Sequence, residues 1–512
     1  MNNKSSIKIL LALLIVFLPL VSKSQQWQQN NIAIEQMTKQ IDNYIGNTPH
    51  ITDSLVAACD RLISNAQNQK AASFVAGYLF NKFSTSSIIG DESVAVYISR
   101  KYFLDGPLEW SGDGGIALLR LYTEFNENSL IGMDAPELAL SSIGGNSVNI
   151  HELSSRFTIL YFFDSSCKTC KDSFPELAGI IERFNHLSIS VYAVYTQSDT
   201  NQLEVFRQTF KQEIENSKAE WFWVYDQDGQ SNFHKLYNVL STPQMFLLDR
   251  EKRIIGRNLN PNSLESILGS REKMISELHS TAQSFVPQYL SLFDLKKEPE
   301  WDAALEPLFQ KVSKDNLEMF NALFYHLFLF LSNSDQQYEK DCAVYLAQKY
   351  ICGKPDLWYD NYLVNQIISL EVNKIKQNAP GSLFPDFTFY SKRGKHKKIK
   401  FKNNNYTYIY FFNPDCAICK PFTYELKKVH RQLKKKGVKV IGIFTGDNQQ
   451  ILKNYLKQQP VPWLVVYPGK GNQQALFNTY EIKYLPQTYL IDSGKKIIVK
   501  AANTIKIKEH IK

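Results

Sequence analysis

Two kinds of hydrophobic pattern alternate along this chain. In LVAACDRLI, Leu55, Val56, Cys59, Leu62 and Ile63 fall on one face at helical spacing, which predicts an amphipathic helix. The zone from 275 to 378 likewise lacks alternating strand patterns and is rich in Leu, Phe, Tyr and Lys, so it too is expected to be helical. Elsewhere the pattern changes to short β-prone runs: FTILYFF (157–163), ISVYAVYT (189–196), QMFLLD (244–249), YTYIYFF (406–412), VKVIGIFT (438–445) and QTYLID (487–492). Helical patterns such as FPELAGIIERF and YELKKVHRQLKKK lie between them. Strands alternating with helices predict an α/β layer structure with a central sheet flanked by helices.

The runs recur. YFFDSSCKTCKDSFPEL (161–177) returns as YFFNPDCAICKPFTYEL (410–426) at an offset of 249. Upstream, AVYISRKYFLDGPLEW (95–110) returns as AVYLAQKYICGKPDLW (343–358) at 248; downstream, YNVLSTPQMFLLD (237–249) returns as YEIKYLPQTYLID (480–492) at 243. So small a drift implies one ancestral unit duplicated. The expected organisation is a leader at 1–24, helical domain 1 at 25–130, α/β domain 1 at 131–269, helical domain 2 at 270–378 and α/β domain 2 at 379–512.

Composition narrows the setting. With 512 residues, 44% of them hydrophobic and 13% aromatic, the chain can bury several cores. Lys4 and Lys8 precede the apolar run ILLALLIVFLPLV (9–21), and small residues follow at Ser22 and Ser24. That is the form of a secretory signal cleaved after Ser24, too short for a comfortable span, so the mature chain is expected to be exported, periplasmic or elsewhere in the cell envelope, and not transmembrane. Disulfides persist in such compartments.

Cys167 and Cys170, like Cys416 and Cys419, are spaced C-x-x-C just after a strand and at the expected start of a helix. A cysteine at a helix N-terminus faces unpaired N–H groups and the positive end of the dipole, which favour thiolate. Half a zinc site is disfavoured because the pairs are a whole repeat apart with no histidine close in sequence. A structural staple gains nothing from a helix-start position. No metal and no cofactor is expected.

With the later X-Pro steps, this order resembles the thioredoxin fold, and the insertion between cysteines and proline is similar to the TlpA/ResA-like branch of thiol-disulfide oxidoreductases. The fold class implied is α/β, two thioredoxin-like domains alternating with two mainly α-helical domains. Pro175 matches the family's helix-kinking proline and Thr242-Pro243 its cis-proline step; in the second copy Leu485-Pro486 matches, whereas Tyr424 stands at the kink and Pro421 comes earlier. APELALSSIGGNSVNIHELSS and FPDFTFYSKRGKHKKIKFKN resemble that branch's N-terminal hairpin. The resemblance implies that Cys167 and Cys416 attack, that Cys170 and Cys419 resolve, and that Thr242, Pro243, Leu485 and Pro486 position a client chain. The buried acid that thioredoxin carries six residues before its first cysteine is replaced by Tyr161 and Tyr410.

The implied partners are client protein thiols or disulfides and an unidentified electron donor. The alternative is a binding protein whose thioredoxin-like domains are redox-gated or merely inherited recognition modules. Lys168 is expected to favour the Cys167 thiolate and Asp415 to oppose that of Cys416. Residues 379–512 hold 25 Lys and Arg against 7 Asp and Glu, a net +18 in a chain that totals +8. Such a surface suits contact with an anionic surface, whereas nucleic acid is not expected of an exported chain without a binding motif. Cys59, Cys342 and Cys352 are expected to be structural.

Overall fold

The protein's computed structural model describes residues 23–500 except 113, 313–315, 360–362, 387, 391–395, 400 and 402–404, together with 507 and 509–511. The expected leader, save its last two residues, lies outside the described residues. The chain divides into two compact units at Glu272 and Lys273.

In the first unit, helices Lys23–Gly46, Thr52–Ser64, Gln69–Ser84, Glu92–Ile98 and Gly115–Asn126 precede the sheet. The apolar face read from LVAACDRLI is buried as expected: Leu55, Cys59 and Ile63 join Leu79, Phe83, Ile98 and Leu119 in one core. Burial pushes the Cys59 thiol up to about 12, so it stays protonated and inert. Helix Glu92–Ile98 runs on into a π-helical turn, Ser99–Leu104; Tyr97 at the helix end and Lys101 and Tyr102 in the turn all donate to the carboxylate of Asp60.

The strands of this unit are β1 (Ala139–Ser142), β2 (Ser147–Asn149), β3 (Phe157–Phe163), β4 (Ile189–Tyr195), β5 (Glu220–Tyr225), β6 (Gln244–Leu248) and β7 (Ile254–Gly256). They form one sheet in the order β2-β1-β5-β4-β3-β6-β7. The pairs β3–β4 and β4–β5 are parallel, and β6 runs antiparallel to β3. Every residue of β3 and of β4 is buried, because helices cover both faces of the sheet centre.

The second unit repeats the plan. Helices Leu317–Asn333 and Gln337–Leu346 build its helical core with Phe320, Phe324, Leu331 and Cys342, and a π-helical turn again follows, at Ala347–Ile351. Here Tyr345 and Lys349 converge on Asp302, with Tyr350 donating to Glu306. Its strands are β8 (Thr388–Tyr390), β9 (His396–Lys398), β10 (Tyr406–Phe412), β11 (Val438–Phe444), β12 (Leu464–Val466), β13 (Gln487–Asp492) and β14 (Ile497–Lys500). The main sheet has the order β12-β11-β10-β13-β14.

One expectation differs between the units. Both hairpins form, but β1–β2 extends the main sheet through β5, whereas β8–β9 is a separate two-stranded sheet. Pro462 and Pro468 flank β12 and shorten it to three residues. Proline has no N–H to give a ladder, so the edge that β1 uses on β5 is cut short here.

Candidate redox sites

In the first unit, β3 delivers the chain to Cys167, which caps helix Lys168–Arg183: the N–H of Cys170 donates to Cys167 Sγ at 3.1 Å. Cys167 is half-buried and Cys170 fully buried. The Thr242–Pro243 peptide is cis, and the Thr242 carbonyl oxygen lies 3.3 Å from Cys167 Sγ. Burial alone would raise Cys167, but hydrogen bonds from Cys170 and from the Thr242 side chain bring its thiol below the usual value. Cys170 is pushed up to about 12, first by burial. The pair is thus split into an accessible, more acidic sulfur and a hidden, more basic one. Lys168, expected to do this, is exposed, and the lowering comes from Cys170 and Thr242 instead.

Sequence reasoning missed Asp164, whose charge opposes the Cys167 thiolate. Its carboxylate accepts from the N–H and hydroxyl of Ser166, a local turn that the run DSS could have signalled. Tyr161, at the position of the missing acid, is buried behind the pair. Burial, then Cys170 and Cys167, push its phenol up, so it remains a neutral hydroxyl. Pro175 lies inside the helix as expected.

The second site repeats the geometry with one shift. Its helix starts at Cys419, not at Cys416, and Cys416 sits in the preceding turn. The N–H of Cys419 still donates to Cys416 Sγ at 3.2 Å, and the two sulfurs are joined as a disulfide with Cα atoms 5.3 Å apart. Leu485–Pro486 is cis, with the Leu485 carbonyl oxygen 3.4 Å from Cys416 Sγ. Behind the pair, Trp463 Nε1 donates to the hydroxyl of Tyr410 at 3.1 Å. All eight residues singled out from the sequence therefore converge, four at each site.

The surroundings are not alike. Beside Cys167 the surface carries Lys168, Thr169, Lys171 and Asp172; beside Cys416 it carries Ile418, 66% exposed, and the exposed ring of Tyr424. The loop before each cis-proline also differs. In the first unit Leu240 is 73% exposed. In the second unit Tyr484 donates to Asp335 at 2.6 Å, and the ammonium of Lys483 donates to the Ser332 carbonyl, so the loop is tied to its helical half.

Residues 131–257 match the AhpC/TSA family, and residues 403–497 match a family described as thioredoxin-like. The chain is similar to the thiol-disulfide oxidoreductase ResA of Bacillus cereus, 21% identical over 145 residues, which covers 28% of this chain and 79% of that protein. It is also similar to ResA of Bacillus subtilis, 22% identical over 127 residues, covering 25% and 69%. Among solved structures, a thioredoxin-like protein from Bacteroides caccae is 15% identical, with a TM-score of 0.36, over 50% of this chain and 98% of that one.

Proposed function

We propose that this chain, whose two thioredoxin-like regions are those of the thiol-disulfide oxidoreductase family, is an exported enzyme exchanging disulfides with client proteins through two C-x-x-C centres. The carrying observation is the split environment of Cys167 and Cys170 opposite a cis-proline carbonyl edge. When the site acts as reductant, Cys167 thiolate attacks one sulfur of a client disulfide, forming a mixed disulfide and releasing the first client thiolate. Cys170, once deprotonated, attacks Cys167 Sγ. The second client sulfur leaves, the client gains two electrons, and Cys167–Cys170 is left oxidised. Run backwards, the same steps oxidise a client dithiol. Cys416 and Cys419 take the corresponding roles.

Thr242, Pro243, Leu485 and Pro486 present backbone against which an extended client segment pairs. The leader-like N-terminus supports export, and among the described residues no helix is long and apolar enough to cross a membrane. The basic segment 379–512, net +18, supports contact with an anionic surface. Although 131–257 matches the AhpC/TSA family, no P-x-x-x-T-x-x-C precedes Cys167, which favours disulfide over peroxide as substrate. A second reading, recognition without turnover at the second site, is favoured by exposed Ile418 and Tyr424.

The test is a redox titration of the mature protein with one pair at a time changed to Ser, read by thiol trapping. A pair titrating near about −270 mV reduces clients, and one near about −120 mV oxidises them. If neither pair equilibrates with a glutathione or dithiol buffer, the enzyme reading fails and the binding reading replaces it.

A further inference from the structure

Within each unit the helical half packs on the thioredoxin-like half beside the cis-proline loop, and the charges at that junction have been exchanged between the copies. In the first unit, Glu92 at the start of helix Glu92–Ile98 faces the wholly buried guanidinium of Arg257, with Nε 3.7 Å from Oε1. Arg257 Nη2 donates to Asn126 Oδ1 at 2.8 Å, and Asn238, five residues before Pro243, donates to the same oxygen at 3.0 Å. Glu92 also accepts from Asn258 at 2.6 Å.

The repeat offsets put Lys340 at the position of Glu92, Glu481 at that of Asn238 and Lys500 at that of Arg257. Strand register agrees, since Gly256 pairs with Leu247 as Val499 pairs with Leu490. In the second unit Lys340, 6% exposed, lies 2.7 Å from Glu481, which is 2% exposed, and Lys500, 7% exposed, pairs with the other carboxylate oxygen. The acid has thus moved from the helical half to the cis-proline loop, and the helical half has become the cation.

We infer that Glu92/Asn238/Arg257 and Lys340/Glu481/Lys500 form a matching code by which each helical half closes only on the thioredoxin-like half of its own copy. A lysine at the position of Glu92 would meet buried Arg257 with no carboxylate between them. A glutamate at the position of Lys340 would meet Glu481. Each mismatch leaves like charges buried together, where removing one partner of an ion pair is already strongly destabilising. Duplicated modules on one chain are otherwise free to exchange halves, because their apolar surfaces derive from one ancestor.

The test uses the full chain, with hydrogen exchange read in segments 115–126 and 238–243 and the second unit as internal reference. E92K should speed exchange there by roughly a hundredfold, as expected for a broken buried pair. N238E alone should speed it by roughly tenfold, since a second, partly buried acid joins Glu92 against one buried guanidinium. Together they rebuild the arrangement of the second copy, so E92K/N238E should exchange more slowly than either single variant. The mirror pair, K340E relieved by E481N, should behave likewise in 480–486. If E92K/N238E exchanges no more slowly than N238E, a comparison that needs no folded E92K protein, the code is overturned. The same holds if K340E/E481N is no better than K340E.

Discussion

The two cis-proline loops share a backbone and differ in what holds them. In the first unit the loop is bonded to the helical half at Asn238, and Leu240 then projects into solvent before Thr242 and Pro243; in the second, Lys483 and Tyr484 add bonds to the helical half beside that of Glu481. The nearby surface also differs, with only polar side chains exposed at 168–172 around Cys167 and the apolar Ile418 and Tyr424 exposed among Asp415 and Lys420 around Cys416. Both units keep the sulfurs, the cis bonds and the strand that carries them. They differ in the surface beside the sulfurs and in how firmly that surface is fixed. Reaction geometry is demanding to within fractions of an ångström, whereas a recognition surface accepts many solutions.

The largest expected effects separate the two sulfur pairs. C167S and C416S should each reduce exchange by their own copy to the uncatalysed background, measured by insulin reduction with the other pair intact. Residual activity of a copy without its attacking cysteine would remove that cysteine from its role. Next comes the buried acid. E481Q leaves Lys340 and Lys500 facing each other without a counter-charge and should destabilise the second unit by about 3 kcal/mol, read by chemical denaturation. Burial works against the Glu481 carboxylate, but Lys500 and Lys340 hold it below its usual range. Its folded pKa lies below the unfolded value of about 4.3, so its contribution is complete above that value and is lost as pH falls through the folded one. E481Q should flatten this acid dependence; an unchanged acid limb would count against the pair.

A smaller effect tests the sulfur environments of the first site. Alkylation near neutral pH should label Cys167 well before Cys170, whose thiol is pushed up to about 12, and T242A, which removes the side-chain hydrogen bond that helps to lower Cys167, should narrow the gap without reversing the order. Equal labelling rates would contradict the split. The smallest effects belong to the loops. I418K should weaken the second site toward apolar peptide disulfides while leaving its rate with glutathione disulfide unchanged. Y484F removes one hydrogen bond to Asp335 and should cost less than about 1 kcal/mol, yet it should bring amide exchange at 483–485 closer to that at 240–242.

Much of this was legible from the linear chain because it is local or periodic. FTILYFF and YTYIYFF read as strands, LVAACDRLI as an amphipathic helix, and the internal echo exposed the tandem plan before any contact was known. The cysteines announced themselves by spacing, since a helix start is a property of a few neighbouring residues, whereas the prolines were legible only through the resemblance that the distant cysteines carry. The fate of the hairpins was not legible. Whether β8–β9 joins the main sheet depends on the length of β12, some seventy residues downstream. Nor was the source of the Cys167 shift, which lies in Thr242 across the fold as well as in its own helix, and not in adjacent Lys168. Glu92, Asn238 and Arg257 look like three unrelated surface polars until folding removes their water. The sequence determined which elements form and which atoms can react. Tertiary structure alone decided which charges are buried together, because desolvation, and with it the strength of a charge, exists only once distant segments close over it.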